Sequence, residues 1–284
     1  MNIYYSLYKI DAENQTPFSK KEYSRFKFGD IAYAKKFARE LFNGFIKKYK
    51  DILLVQEEIL VLPSPYFSIP TASNYLCTFF KEQLNYFLFE HGKKACIETK
   101  MHRIQSYVDD YGSMSFEARK NLISNDTYYI DRQFIEGKFC IFLDDIKITG
   151  THELTIKRIL EKYEVKGDFC FLYFAELINK EINPNIENHY NHFAIKSVED
   201  IIDIVNCDTF KFNTRIVKYI LLMSENDFAL FLDNTNILQQ QELFKLALSN
   251  NYHQTKNYER NLNYLNQQIQ NSLSKKLHLK EALI

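Results

Sequence analysis

Lys138-Phe139-Cys140-Ile141-Phe142-Leu143-Asp144-Asp145-Ile146-Lys147-Ile148-Thr149-Gly150-Thr151-His152 is the stretch whose reading decides the fold. Phe139 to Leu143 form an unbroken apolar run with β-branched and aromatic content, the pattern of a strand buried on both faces of a parallel sheet. Two carboxylates, Asp144 and Asp145, follow at once, and then a loop containing Thr149, Gly150 and Thr151. Glu153, Leu154, Ile156, Ile159 and Leu160 come next at helical spacing, which predicts a helix over 152–164. The motif therefore belongs at the carboxyl end of a strand, where open α/β sheets bind ligands.

That order of residue types carries a definite chemistry. Backbone N–H groups of a Gly-containing loop that opens a helix make a seat for a phosphate, and threonine hydroxyls add donors. Adjacent carboxylates at the strand end can hold ribose hydroxyls, or Mg²⁺ through waters. Together they fit a sugar phosphate. A phosphohydrolase of the two-Asp type separates its acidic residues with a spacer, and the adjacency of Asp144 and Asp145 argues against it.

Outward from this stretch, Glu58 to Leu62 and Gly167 to Ala175 read as two further buried strands. The second, together with the helix before it, makes a βαβ unit joined by a right-handed crossover. Pro63, Pro65 and Pro70 end the earlier strand sharply and stiffen the loop after it. A short strand is expected within residues 1–19. Asp30 is the expected N-cap of a helix whose face carries Ile31, Ala34, Phe37, Ala38, Leu41 and Phe45. Ala72 to Gly92 reads as an aromatic-rich core helix ending in a glycine cap.

Composition sets the limits. The 284 residues are 46% hydrophobic, enough for one large α/β domain or a domain of about 200 residues with an appendage. Lys+Arg and Asp+Glu both number 36, so no overall field favours nucleic acid. Residues 19–50 hold ten Lys/Arg against three Asp/Glu, read as a solvated helix face, with Arg25 and Lys27 as surface cations within reach of a phosphate. Five unpaired cysteines and the lack of a leader-like start or a membrane-length apolar window point to a reduced, cytoplasmic protein. His189 and His192 lack partners in ligand order, so no metal site is expected there. Beyond Glu181 the composition turns Asn-rich and then helical, with a capping box at Ser197 and with Tyr258, Leu262, Leu265, Ile269 and Leu273 near heptad spacing. This tail is expected to pack on the core or to join a second chain as a homo-oligomer, and no catalytic constellation is read in it.

The run of apolar residues, acidic pair, apolar residue, two variable positions and Thr-Gly-Thr resembles the PRPP-binding signature of the type I phosphoribosyltransferases. The Pro-x-Pro start of the loop at Pro63 is similar to that of ComF-like members. So is the segment before the signature, a basic residue, then Gln, then Ser-x-x-x-Arg-x-Asn, here Arg103, Gln105, Ser115, Arg119 and Asn121. Ser24 to Asp30 and the helical tail resemble the ComF-like enzymes encoded near tellurium-resistance stress genes. The resemblance implies an α/β fold with a Rossmann-like parallel sheet over residues 1–200 and a C-terminal helical extension over 201–284. It implies transfer of ribose 5-phosphate from PRPP to a small nucleobase-like nitrogen acceptor, with Mg²⁺ assisting release of pyrophosphate.

Carried over residue by residue, Asp144 and Asp145 would hold ribose and metal. Lys147, Ile148, Thr149, Gly150, Thr151 and His152 would form the 5-phosphate loop, and Ser64, Ser68 and Thr71 would supply hydroxyls to the pyrophosphate loop. Arg103 would meet the leaving group in a loop over 99–125 that closes to exclude water. Two departures stand out. Ile148 occupies the place where purine-salvage members have a catalytic Asp, and the basic residues that follow Pro-x-Pro in ComF-like loops are absent. The missing base keeps open a module that senses PRPP or a nucleotide without turnover. A third reading is an interaction protein working through its tail.

Overall fold

Along the central strand, Phe139, Ile141 and Leu143 enter one apolar cluster, and Cys140 and Phe142 enter another. That alternation, with every one of the five buried, is why the run is unbroken in sequence. In the computed structural model, residues 1–13, 15–103 and 128–281 are described. They form β1 (Asn2–Ile10), α1 (Lys20–Lys27), α2 (Ile31–Leu54), β2 (Ile59–Pro63), α3 (Ala72–Glu90), β3 (Ile97–Glu98), β4 (His102–Arg103), β5 (Tyr128–Tyr129) and the short α4 (Arg132–Ile135). β6 (Phe139–Lys147), α5 (Thr151–Lys162) and β7 (Asp168–Leu177) follow. The remainder is helical: α6 (Ile186–Asn191), α7 (Val198–Val205), α8 (Thr214–Leu221), α9 (Glu225–Asp233), α10 (Ile237–Ser249) and α11 (Lys256–Glu281).

Among the described residues the main sheet has five strands in the order β1-β7-β6-β2-β3, with neighbours parallel. One face is covered by α2 and α3 through Phe37, Leu41, Phe45, Leu76, Phe80 and Leu84. The other lies under Ile156 and Leu160 of α5 and Ile135 of α4. The chain is thus an α/β protein with a helical C-terminal part, as the motif order predicts. Asp30 caps α2, accepting from the Ala32 amide at 3.3 Å. Ser197 begins α7 with a full capping box.

The expected end of the central strand needs correction. β6 does not stop at Leu143 but runs to Lys147, so Asp144 and Asp145 are strand residues. The cause is the length of β7, which keeps pairing through Asp144↔Tyr173, Ile146↔Ala175 and Lys147↔Glu176. The helix after the loop opens at Thr151, one residue earlier than predicted.

The tail forms its own apolar core, in which Ile201, Ile216, Ile220, Phe228, Leu243, Tyr258, Leu262, Leu265 and Ile269 are buried. Phe28 and Ile69, from the α/β part, belong to the same cluster. Hydrogen bonds reinforce this seam, from Ile31 N to Thr209 O at 3.0 Å and from Lys211 N to Gly29 O at 2.9 Å. Gly29 has φ +101°, and a Cβ there would lie 2.3 Å from Lys211 O, so only glycine permits this approach. Among the described residues no helix is long and apolar enough to cross a membrane.

Candidate functional site

A cavity of about 410 Å³ opens where the carboxyl ends of β2 and β6 meet the first turns of α3 and α5. Asp144 to Glu153 line it without a break. Gly150 takes φ +71°, a left-handed conformation that turns the chain out of the strand and into α5. Its neighbours draw the loop tight: the Thr149 and Thr151 hydroxyls are 2.8 Å apart, and the Thr151 amide donates to Thr149 Oγ1 at 3.4 Å. The first amides of a helix have no partners within it, so α5 presents donors and a positive dipole end at the cavity wall.

The two aspartates take different environments. The Asp144 carboxylate pairs with His152 Nδ1 at 3.1 Å and lies against the Ser64 hydroxyl. Burial alone would raise its pKa, but the His152 hydrogen bond and charge outweigh burial and hold the carboxyl well below the usual range. His152 Nε2 is buried without a hydrogen-bond partner, and the ring also borders a small void lined by Leu62, Phe142, Ile156 and Tyr173. The ring thus holds Asp144 through one nitrogen.

Asp145, by contrast, is 4% exposed, accepts from the Tyr23 hydroxyl at 2.8 Å and forms an ion pair with Lys27. Burial, with Asp144 next door, pushes this carboxyl up against the pull of Lys27. Lys27 is therefore not the surface cation expected from its surroundings in sequence, because α1 folds across the strand end and buries it. Arg25 is paired within its own turn, to Asp30 at 3.1 Å.

Lys147 lines the cavity with its ammonium group on Glu153 at 2.8 Å and Glu176 at 3.2 Å. Glu153 also accepts from Lys157 at 2.6 Å and from the Tyr173 hydroxyl at 3.1 Å. Ile148 lines the cavity and packs on the main core, so it presents no base there. Of the three hydroxyls expected to serve a pyrophosphate loop, those of Ser64 and Thr71 belong to residues that line the cavity. Ser68 does not: it is exposed, and its amide is taken by Asn250 Oδ1 at 3.1 Å, because the tail grips the loop at that point. Arg103 lies in β4 opposite Tyr128, a cavity residue, and its side chain falls outside the described residues. Gln105, Ser115, Arg119 and Asn121, with most of the expected closing loop, also fall outside them.

The sequence reading places no site residue beyond residue 200. The structure brings Thr214, Arg215, Lys218, Tyr219 and Leu222 into the same cavity, with His192 and Glu187 from the segment before the tail. His192 stands edge-on to Phe28, with ring centres 5.4 Å apart. No local signal marks these residues, since Arg215 and Lys218 read as ordinary polar positions of an amphipathic helix.

The family described as ComF-like phosphoribosyltransferases matches residues 1–265. The chain belongs to that family. Two solved structures of hypoxanthine phosphoribosyltransferase from Staphylococcus aureus, in orthorhombic and tetragonal crystal forms, are similar to it in part. The first is 12% identical, covering 59% of this chain and 80% of that one at a TM-score of 0.30. The second is 14% identical, covering 53% and 74% at a TM-score of 0.25. At such scores the likeness carries no argument about the site. No curated protein matches the chain.

Phosphoribosyltransferases generally use Mg²⁺. Among the described residues no three His, Cys, Asp or Glu side chains gather as a metal cage. Asp145 is already committed to Lys27, which leaves Asp144 as the acidic-pair member at the cavity wall without a lysine partner. Of this donor set, Asp144 could hold a magnesium ion, which would keep most of its water ligands.

Proposed function

We propose that this ComF-like phosphoribosyltransferase binds PRPP and transfers its ribose 5-phosphate to a nitrogen acceptor. The observation that carries the reading is the unbroken lining from Asp144 to Glu153, a strand end, a left-handed glycine turn and a helix start along one wall of a cavity large enough for a sugar phosphate. In this reading the 5-phosphate sits against the loop from Ile148 to His152, and Asp144, held in place by His152, meets the ribose hydroxyls. Asp145 fixes the strand end through Lys27 and Tyr23 and touches no ligand. Ser64 and Thr71 face the pyrophosphate side.

The C1–O bond breaks with its electron pair leaving on diphosphate. The acceptor nitrogen's lone pair forms the new C1–N bond, and the acceptor then loses a proton to water or to the released diphosphate. Mg²⁺, when present on the substrate, neutralises charge on the leaving diphosphate. The protein's share is positioning and charge complementarity, since the transition state is cationic at the sugar and anionic at the leaving group.

One observation favours a second reading, binding without turnover. Ile148 offers no proton acceptor, and the imidazole four residues on, His152, has its Nδ1 on Asp144. A PRPP-dependent pyrophosphate-release assay across a panel of purine, pyrimidine and pyridine bases separates the two. Release above background with at least one base supports transfer. Saturable PRPP binding with no release supports the sensing module, and absence of PRPP binding refutes both.

A further inference from the structure

The strand, proline-rich loop and helix start on the pyrophosphate side bring no cation of their own. No Lys or Arg occurs between Lys50 and Lys81, a stretch that spans β2, the proline-rich loop and the start of α3. The lysines that line the cavity from the α/β part stand elsewhere in the chain, Lys27 beside Asp145 and Lys147 in the stretch that leads to Gly150. A diphosphate leaving group needs positive charge near it as the C–O bond breaks.

The tail supplies that charge at the right place. The Thr214 amide donates to Pro70 O at 2.8 Å and its hydroxyl to Ile69 O at 2.7 Å, so the first residue of α8 is fastened to the pyrophosphate loop. The Tyr75 hydroxyl donates to Phe212 O at 2.7 Å, and Asn250 accepts from the Ser68 and Ile69 amides, both at 3.1 Å. Arg215 follows the anchored Thr214 directly, and Lys218 stands three residues on, which puts both cations on one face of α8. Both line the cavity together with Ser64, Thr71 and Ser73; Glu187 is the acidic group contributed by α6.

We infer that Arg215 and Lys218 receive the diphosphate of PRPP, so that the helical extension completes the substrate site of the α/β domain. The inference rests on the phosphoribosyl-transfer reading and assigns to the tail the cationic contact that the proline-rich loop lacks. Arginine suits this role because its planar fork matches two phosphate oxygens at once.

The test is calorimetry on the full-length chain with three probes: PRPP with Mg²⁺, inorganic pyrophosphate with Mg²⁺, and ribose 5-phosphate. Arg215→Gln and Lys218→Gln are each expected to weaken PRPP and pyrophosphate by about tenfold or more while ribose 5-phosphate stays within about twofold. Retained ribose 5-phosphate affinity also reports an intact fold. Lys218→Arg, which keeps the charge, is expected to recover most of its loss, and Arg215→Lys, which keeps the charge but not the planar fork, to recover part. Unchanged pyrophosphate and PRPP affinity in both glutamine variants would overturn the inference, as would an equal loss of all three probes in the charge-preserving variants. A wild-type chain that binds neither PRPP nor ribose 5-phosphate would instead refute the underlying reading.

Discussion

Gly150 and Lys27 show how single residues shape this site. Gly150 holds φ +71°, and a Cβ there would meet Lys147 Cε at 3.4 Å. Gly150→Ala is expected to cost about 1 kcal/mol in unfolding free energy from the left-handed backbone, and to weaken phosphate binding because the turn sets the aim of the α5 amides. Urea denaturation beside a ribose 5-phosphate titration measures both. Lys27 is the buried partner of Asp145, with side chains 11% and 6% exposed. Lys27→Met leaves that carboxylate unpaired and is expected to destabilise the fold by about 3–5 kcal/mol. Adding Asp145→Asn to it should recover part of the loss, and a double variant no more stable than Lys27→Met would contradict the pairing. The same pair decides which aspartate is a clean functional probe. Asp144→Asn alters the cavity wall, whereas Asp145→Asn strands a buried lysine.

At the scale of elements, the strand ends carry a chain of charges across the sheet. Glu176 on β7 accepts from Ser6 Oγ at 2.7 Å, and it pairs with Lys9 of β1 and with Lys147 of β6. Burial would raise this carboxyl, but Lys9, Ser6 and Lys147 outweigh it and hold its pKa at about 2. The folded value lies below the unfolded one of about 4.3, so the stabilisation is complete above about pH 5 and is lost as pH falls toward 2. Glu176→Gln is expected to lose about 2 kcal/mol at pH 7, partial exposure having reduced the figure, and to show a flatter loss of stability between pH 5 and pH 2. Guanidinium titrations at stepped pH test it; a variant with the wild-type slope would contradict the assignment. The strands themselves were legible because burial on both faces leaves unbroken apolar runs such as Phe139 to Leu143. Their true ends were not. Asp144 to Lys147 look like loop residues, and only the pairing with a long β7 keeps them in the sheet. Lys27 escapes a local reading for a related reason: the carboxylate it pairs with lies 118 positions away.

For the whole molecule, the tail's apolar core is joined to the α/β part rather than hung beside it. Phe28 and Ile69 sit in the tail's core, and main-chain bonds tie residues 29–31 and Pro70 to 209–214. The chain is therefore expected to unfold as one cooperative unit, with far-UV circular dichroism and tyrosine fluorescence giving coincident transitions. Two separated transitions would mean that the tail folds independently of the sheet. The tail's part in the cavity could not be read from sequence, because Arg215 and Lys218 acquire meaning only when Thr214 docks on the loop at Ile69 and Pro70. The stretch from Asp144 to Glu153 along the cavity is legible because its residues are contiguous.

The most direct test of the account is a crystal structure of the chain with PRPP and Mg²⁺. The account predicts the 5-phosphate within hydrogen-bonding distance of the main-chain amides between Ile148 and His152, with Asp144 on the ribose hydroxyls. A 5-phosphate bound elsewhere, with those amides facing only solvent, would contradict it.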